Sequence, residues 1–154
     1  MTMDFMTAVK TCLTEKYATF QGRASRSEYW WFVLAVVIGS VITQLIWGPL
    51  GLLFSLAVLC PGLAAGWRRL QDTGRPGWYV VIPFGISILN TILAPSVPDE
   101  AAIAAGELPD MGSIAMSAVL GIISLVIFLV YIWWLTRPSQ PETNAYGPPP
   151  AQTA

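Results

Sequence analysis

A chain of 154 residues suits one domain, but 55% hydrophobic and 11% charged residues, with a mean hydropathy of +0.60, lie outside the range of soluble proteins. A net charge of −1 gives no bulk electrostatic case for nucleic-acid binding. Histidine is absent, which removes the usual general base near neutral pH and the commonest metal ligand, and no metal or cofactor site is expected.

Residues 1–21 are predicted to form an amphipathic interfacial helix. Phe5, Val9, Cys12, Leu13, Tyr17 and Phe20 recur at helical spacing, with Thr7, Lys10, Thr11, Thr14 and Glu15 on the other face. Lys16 breaks the pattern, but its long stem can snorkel to the headgroups. The first long apolar run begins at Tyr29 without a convincing cleavage site, so it reads as a retained helix rather than a signal peptide. From Tyr29 to Gly66 no residue is charged. As one helix this run would extend about 57 Å, against a hydrocarbon core of about 30 Å. Gly48-Pro49 divides it into a hairpin of spans 29–47 and 50–67. A third span is predicted at 78–94, with Pro83 inside it, and a fourth at 113–135. Pro61 and Pro83 suggest kinks that packed neighbours can accommodate. Residues 138–154 form a proline-rich tail, expected to be largely disordered or extended. The fold class is therefore all-α and integral to a membrane: four transmembrane helices in two hairpins (residues 22–137), preceded by the interfacial helix.

Orientation follows from the basic residues. Lys10, Lys16, Arg23 and Arg26 precede the first span, Arg68, Arg69 and Arg75 join the second to the third, and Arg137 follows the fourth. All share one side, while the loop 95–112 carries Asp99, Glu100, Glu107 and Asp110 and no Lys or Arg. The positive-inside rule then places both termini in the cytoplasm. Trp30, Trp31, Trp67, Trp78, Trp133 and Trp134 fall at the same predicted interface, and Trp47 at the opposite one, as an aromatic belt requires.

Three separated motifs carry a family resemblance: Gly22-Arg23-Ala24-Ser25-Arg26-Ser27-Glu28-Tyr29-Trp30-Trp31, Arg68-Arg69-Leu70-Gln71-Asp72-Thr73-Gly74-Arg75-Pro76-Gly77-Trp78, and Asn144-Ala145-Tyr146-Gly147-Pro148. Together they resemble the DUF805 family of small bacterial inner-membrane proteins. The resemblance implies a multi-pass protein of the bacterial inner (plasma) membrane with four spans; the family's function is uncharacterised. This chain departs from the usual pattern in having Gln71 where the family has histidine, and in its long acidic loop.

The first two motifs gather Arg23, Arg26, Glu28, Arg68, Arg69, Asp72 and Arg75 at one membrane boundary, as a candidate rim cluster. As structure, Arg68 and Arg69 complement the dipole at the end of the second span, Gly74 supplies a left-handed cap and Pro76 opens the next helix. As function, five arginines exceed two carboxylates, and guanidinium suits bidentate contact with phosphate or an anionic headgroup. A lipid-modifying enzyme would need clustered carboxylates, a nucleophile–base pair or a phosphate loop, and no such catalytic constellation is found. A transporter or channel usually places ionisable groups inside its spans, and none of the predicted interiors has one. Gln44 and Asn90 are the strongest polar residues within the spans and are expected to make a mutual or interhelical hydrogen bond. Ala35/Gly39/Thr43, Gly62/Gly66 and Ser117/Gly121 allow close helix approach. Cys12 and Cys60 have neither disulfide nor metal-ligand spacing and are expected to stay reduced. The sequence thus reads as a non-enzymatic membrane protein that acts through an arginine-rich cytoplasmic rim on a partner protein or anionic lipid. The alternative is a small transporter or channel, which with so few spans would have to be a homo-oligomer.

Overall fold

A computed structural model describes residues 3–93, 106 and 110–150, and among these the chain is all-helical. The acidic positions Asp99, Glu100 and Glu107 lie outside the described residues. The chain forms two compact units: Met1–Val80 with Trp134–Ala154, and Val81–Trp133.

In the first unit, α1 (Phe5–Lys10) starts on Asp4, whose carboxylate accepts from the Thr7 amide at 2.9 Å, and runs into a π-helical turn, Thr11–Glu15. The wider turn puts the Lys16 amide 2.8 Å from the Thr11 carbonyl. It also changes which residues face inward. Ala8, Thr11 and Cys12 are buried and Leu13 is exposed, whereas regular helical spacing assigned Thr11 to the polar face and Leu13 to the apolar one.

Helix α2 (Arg26–Ile46) begins on Ser25, whose hydroxyl accepts from the Glu28 amide at 3.1 Å. It ends at Trp47, a single extended residue, and α3 (Gly48–Asp72) starts at once with Pro49 in its first turn, where a missing N–H costs nothing. The two helices form a tight antiparallel hairpin. A Cβ on Gly39 would lie 2.4 Å from the Phe54 ring, and one on Gly51 would lie 2.2 Å from Gln44 Oε1. Further along, Cys12, Phe32 and Ala65 form a buried cluster against Tyr29 and Val36. Tyr17 ties the N-terminal segment to α3 by donating to the Ala57 carbonyl at 2.7 Å.

Two predicted boundaries change. The second span was expected to end at residue 67, but α3 continues for another turn and more, so Arg68, Arg69 and Asp72 are helical residues and not part of a loop. At 25 residues α3 is about 38 Å long. A charged residue ends a span because it cannot enter hydrocarbon, but arginine is a good helix former and does not end a helix. Gly74 does, at φ +78°. The Arg75 amide donates to Leu70 and the Gly74 amide to Gln71, each at 3.0 Å, in the double bond of a Schellman cap.

The second change concerns the third span. In place of one helix over 78–94, a 3-10 segment (Gly77–Val81) leads into α4 (Ile82–Leu93). Pro83 has no N–H to donate to the Tyr79 carbonyl, so it falls in the first turn of α4 and kinks no helix interior. Among the described residues, three helices are long and apolar enough to cross a membrane: α2, α3 and α5 (Met111–Thr136). Asp110 begins α5 by accepting from the Ser113 amide at 3.1 Å.

Candidate functional site

The polar end of the α2–α3 hairpin, opposite Trp47, holds the charged motif residues. An antiparallel hairpin brings together residues at similar chain distances from its turn, and here that rule pairs Glu28 with Arg68 and Arg23 with Asp72. Asp72, fully buried, receives Arg23 Nε on Oδ1 at 2.9 Å and Arg69 Nη1 on Oδ2. Glu28, 2% exposed, receives Arg68 Nη2 on Oε1 at 3.2 Å and Lys16 Nζ on Oε2 at 3.5 Å. Arg68 also reaches Cys12 Sγ, at 3.9 Å. Burial and the nearby Glu28 charge push the Cys12 thiol up to about 11.

Four cations thus face two carboxylates in a knot whose arginines and carboxylates are buried, and backbone carbonyls accept further guanidinium protons of Arg23 and Arg69. Arg69 donates from Nε to the Leu135 carbonyl at 2.9 Å and from Nη2 to that of Arg137, which satisfies the C-terminal carbonyls at the end of α5 and opposes their partial negative charge. Arg23 donates from Nη1 to the carbonyls of Glu142 at 2.8 Å and Gly147 at 3.3 Å, and from Nη2 to that of Gln140.

The tail supplying these acceptors, expected from its composition to be disordered or extended, lies against the knot over residues 139–147. The Gln140 amide donates to the Asp72 carbonyl at 3.1 Å, and the Asn144 side chain donates to the Gln71 carbonyl at 2.9 Å. Asn144 and Gly147 exchange backbone hydrogen bonds at 3.1 Å, and Gly147 closes that turn at φ +124°. The third sequence motif is therefore a tight turn seated on the end of α3. Gln71, the position of departure from the family pattern, is buried. With its amide turned to suit its neighbours it donates to the carbonyls of Phe20 at 3.1 Å and Gly22 at 2.7 Å, and accepts from Trp67 Nε1 at 3.0 Å.

The structure brings together Arg23, Glu28, Arg68, Arg69 and Asp72, but neither Arg26 nor Arg75 joins them. Arg75 is half-buried and lies over the Trp134 ring, 5.2 Å from its centroid. Burial, and then the charge of Arg137, pull its guanidinium below its ordinary value. Arg26 is exposed, and among the described residues no carboxylate pairs with it. Of the polar span residues, Asn90 donates to Ser124 at 2.6 Å between α4 and α5, while Gln44 rests on Gly51 within the hairpin. The acceptors in the tail and at the end of α5 went unread in the sequence, because a backbone carbonyl has no residue signature.

The chain matches the family model described as "Protein of unknown function (DUF805)" over residues 17–148. It is 42% identical over 77 residues to the protein named inner membrane protein YhaI of Escherichia coli (strain K12), covering 46% of this chain and 65% of that relative. It is 34% identical over 84 residues to inner membrane protein YhaH of the same strain, covering 46% of this chain and 69% of that relative. The chain thus spans 65% of the length of YhaI. No solved structure matches.

Proposed function

The chain belongs to the DUF805 family, and from that premise we propose that it is a non-enzymatic protein of the bacterial inner membrane, with four spans and cytoplasmic termini, whose basic rim engages anionic lipid. Four spans are supported by length. The 3-10 segment rises about 2 Å per residue and α4 about 1.5 Å, so residues 77–93 extend about 28 Å, close to the hydrocarbon thickness. The orientation is supported by the segregation of all Lys and Arg to one side. Glu28 and Asp72 face arginines in a buried setting and present no carboxylate to a substrate, which favours a non-enzymatic role.

The observation that carries the lipid reading is the division among the motif arginines. Arg23, Arg68 and Arg69 are consumed inside the knot, while Arg26 remains exposed. Each basic residue near an anionic surface contributes on the order of 1 kcal/mol, so the unconsumed cations suffice for a preference among lipids. Native mass spectrometry of the protein released from mild detergent tests this. Phosphatidylglycerol should be retained over phosphatidylethanolamine, and an Arg26→Gln/Arg75→Gln variant should lose the preference while melting within a few degrees of the wild type, the difference being the lost contact of Arg75 with Trp134. Equal retention of both lipids by the wild type refutes the reading. Orientation is tested by labelling single cysteines at Thr14, Met111 and Thr143 in a chain without Cys12 and Cys60. Thr14 and Thr143 should react from the cytoplasmic side and Met111 from the other.

A further inference from the structure

We propose that the face of α2 from Arg26 to Val37 seats one anionic phospholipid, with its phosphate on the Arg26 guanidinium and an acyl chain along Trp30, Leu34 and Val37. This inference rests on the rim reading above and narrows it to a single site. An open groove of about 630 Å³ runs along this face, lined by Arg26, Trp30, Trp31, Leu34 and Val37 among others. Its walls are almost wholly apolar, and its charge is concentrated at one end.

The groove's length fits the occupant. Residues 26, 30, 34 and 37 follow one another along one helix face, and the rise from Arg26 to Val37 is about 16 Å. Half of a hydrocarbon core of about 30 Å is about 15 Å, so a chain lying along this face would span one leaflet. Arg26 is the first residue of α2, where the helix dipole adds partial positive charge to the guanidinium. The neighbouring knot, with four cations to two carboxylates, raises the potential there further. Trp31 is held in place by an edge-to-face contact with Phe5, 5.9 Å between centroids, so this part of the groove is preformed. An amphiphile with anionic head and apolar tail matches both ends. A soluble anion would use only the first, and a zwitterionic lipid would bring a cation to Arg26.

The test compares the wild type with four variants by native mass spectrometry, using phosphatidylglycerol and phosphatidylethanolamine as probes. Arg26→Gln removes the charge. Leu34→Trp and Val37→Trp each fill the groove and keep the charge, at positions 42% and 53% exposed that tolerate a larger side chain. Lys10→Gln, which removes an exposed charge outside the rim, is the control. One phosphatidylglycerol should be retained by the wild type and by Lys10→Gln. Its retention should fall about fivefold in Arg26→Gln and at least as far in one of the tryptophan variants, with melting temperatures unchanged. No preference in the wild type overturns the rim reading and this site with it. A preference that survives Arg26→Gln leaves the rim reading intact and overturns the site. Loss in Arg26→Gln with none in either tryptophan variant overturns the groove as the seat of the chain.

Discussion

Asp72→Asn is the sharpest test of the knot. The carboxylate is fully buried and carries two guanidiniums, Arg23 and Arg69, neither of which has another carboxylate in reach among the described residues. Removing one partner of a buried ion pair costs about 3–5 kcal/mol, because the charge left behind stays buried without compensation. Asparagine keeps one acceptor oxygen, and the carbonyls of Leu135, Arg137, Gln140 and Glu142 still hold the two arginines, so about 2–4 kcal/mol is expected. For a chain of this size each kcal/mol lowers the melting midpoint by about 2–4 °C, which predicts a fall on the order of 10 °C. Tryptophan fluorescence during heating in mild detergent provides the readout. Asp110→Ala serves as the exposed comparison, since it removes only a helix cap worth about 1 kcal/mol. A midpoint for Asp72→Asn no lower than that of Asp110→Ala would show that the knot does not hold the fold together.

Four further outcomes follow from the structure. A methyl group on Gly77 would sit 2.1 Å from the Trp67 indole, which cannot move without losing its hydrogen bond to Gln71, whereas one on Gly62 meets nothing within 4 Å; Gly77→Ala should therefore melt several degrees below wild type and Gly62→Ala close to it, by the same fluorescence assay. The Cys12 thiol, raised from 9.0 to about 11, should alkylate at pH 8 about 100-fold more slowly than an ordinary thiol, as read by mass spectrometry of the labelled peptide. Because the fold favours its neutral form, this group's contribution to stability is fully present below pH 9 and is lost as pH rises through about 11, so a Cys12→Ala variant should show a flatter stability profile across that window. Deleting residues 139–154 removes the carbonyl acceptors of Arg23 and should lower the melting midpoint and open the Arg23–Ala24 bond to trypsin; a full-length chain cut there just as fast would contradict the shielding of Arg23 by the tail.

The hairpin was legible because its signals are local: a charge-free run too long for one span, and Gly48-Pro49 at its middle. The meeting of the two charged motifs was legible as well, since residues equidistant from an antiparallel turn must face each other. The length of α3 was not, because hydropathy reports where the bilayer would end and says little about where the helix ends; that information lay in Gly74. The π-turn over Thr11–Glu15 escaped because it alters inward-facing positions without any distinctive residue. The acceptors in the tail went unread for a related reason. Its prolines lower the number of N–H donors and so suggest an unstructured segment, yet each residue keeps its carbonyl, and acceptors are what a buried arginine excess requires.

That last point explains how one set of arginines can act as a topology signal and as structure. Arg23 bonds to residues 117 to 124 positions further along the chain, so its acceptors arrive only after all the apolar segments have been made. Before then Arg23 and Arg69 lack such acceptors, and in the proposed orientation they and Arg68 act as positive charge that opposes translocation. Once the tail is made, its carbonyls and the end of α5 replace the water that these guanidiniums lose on burial. The separation is testable with the truncated chain, which should keep the cysteine-labelling pattern of the full-length protein while losing the stability of the knot. A changed labelling pattern would mean that the tail helps to set orientation. Arg26 follows neither course to its end: it carries the same positive-inside charge, but the first turn of α2 leaves it outside the knot and exposed, at the head of the apolar groove.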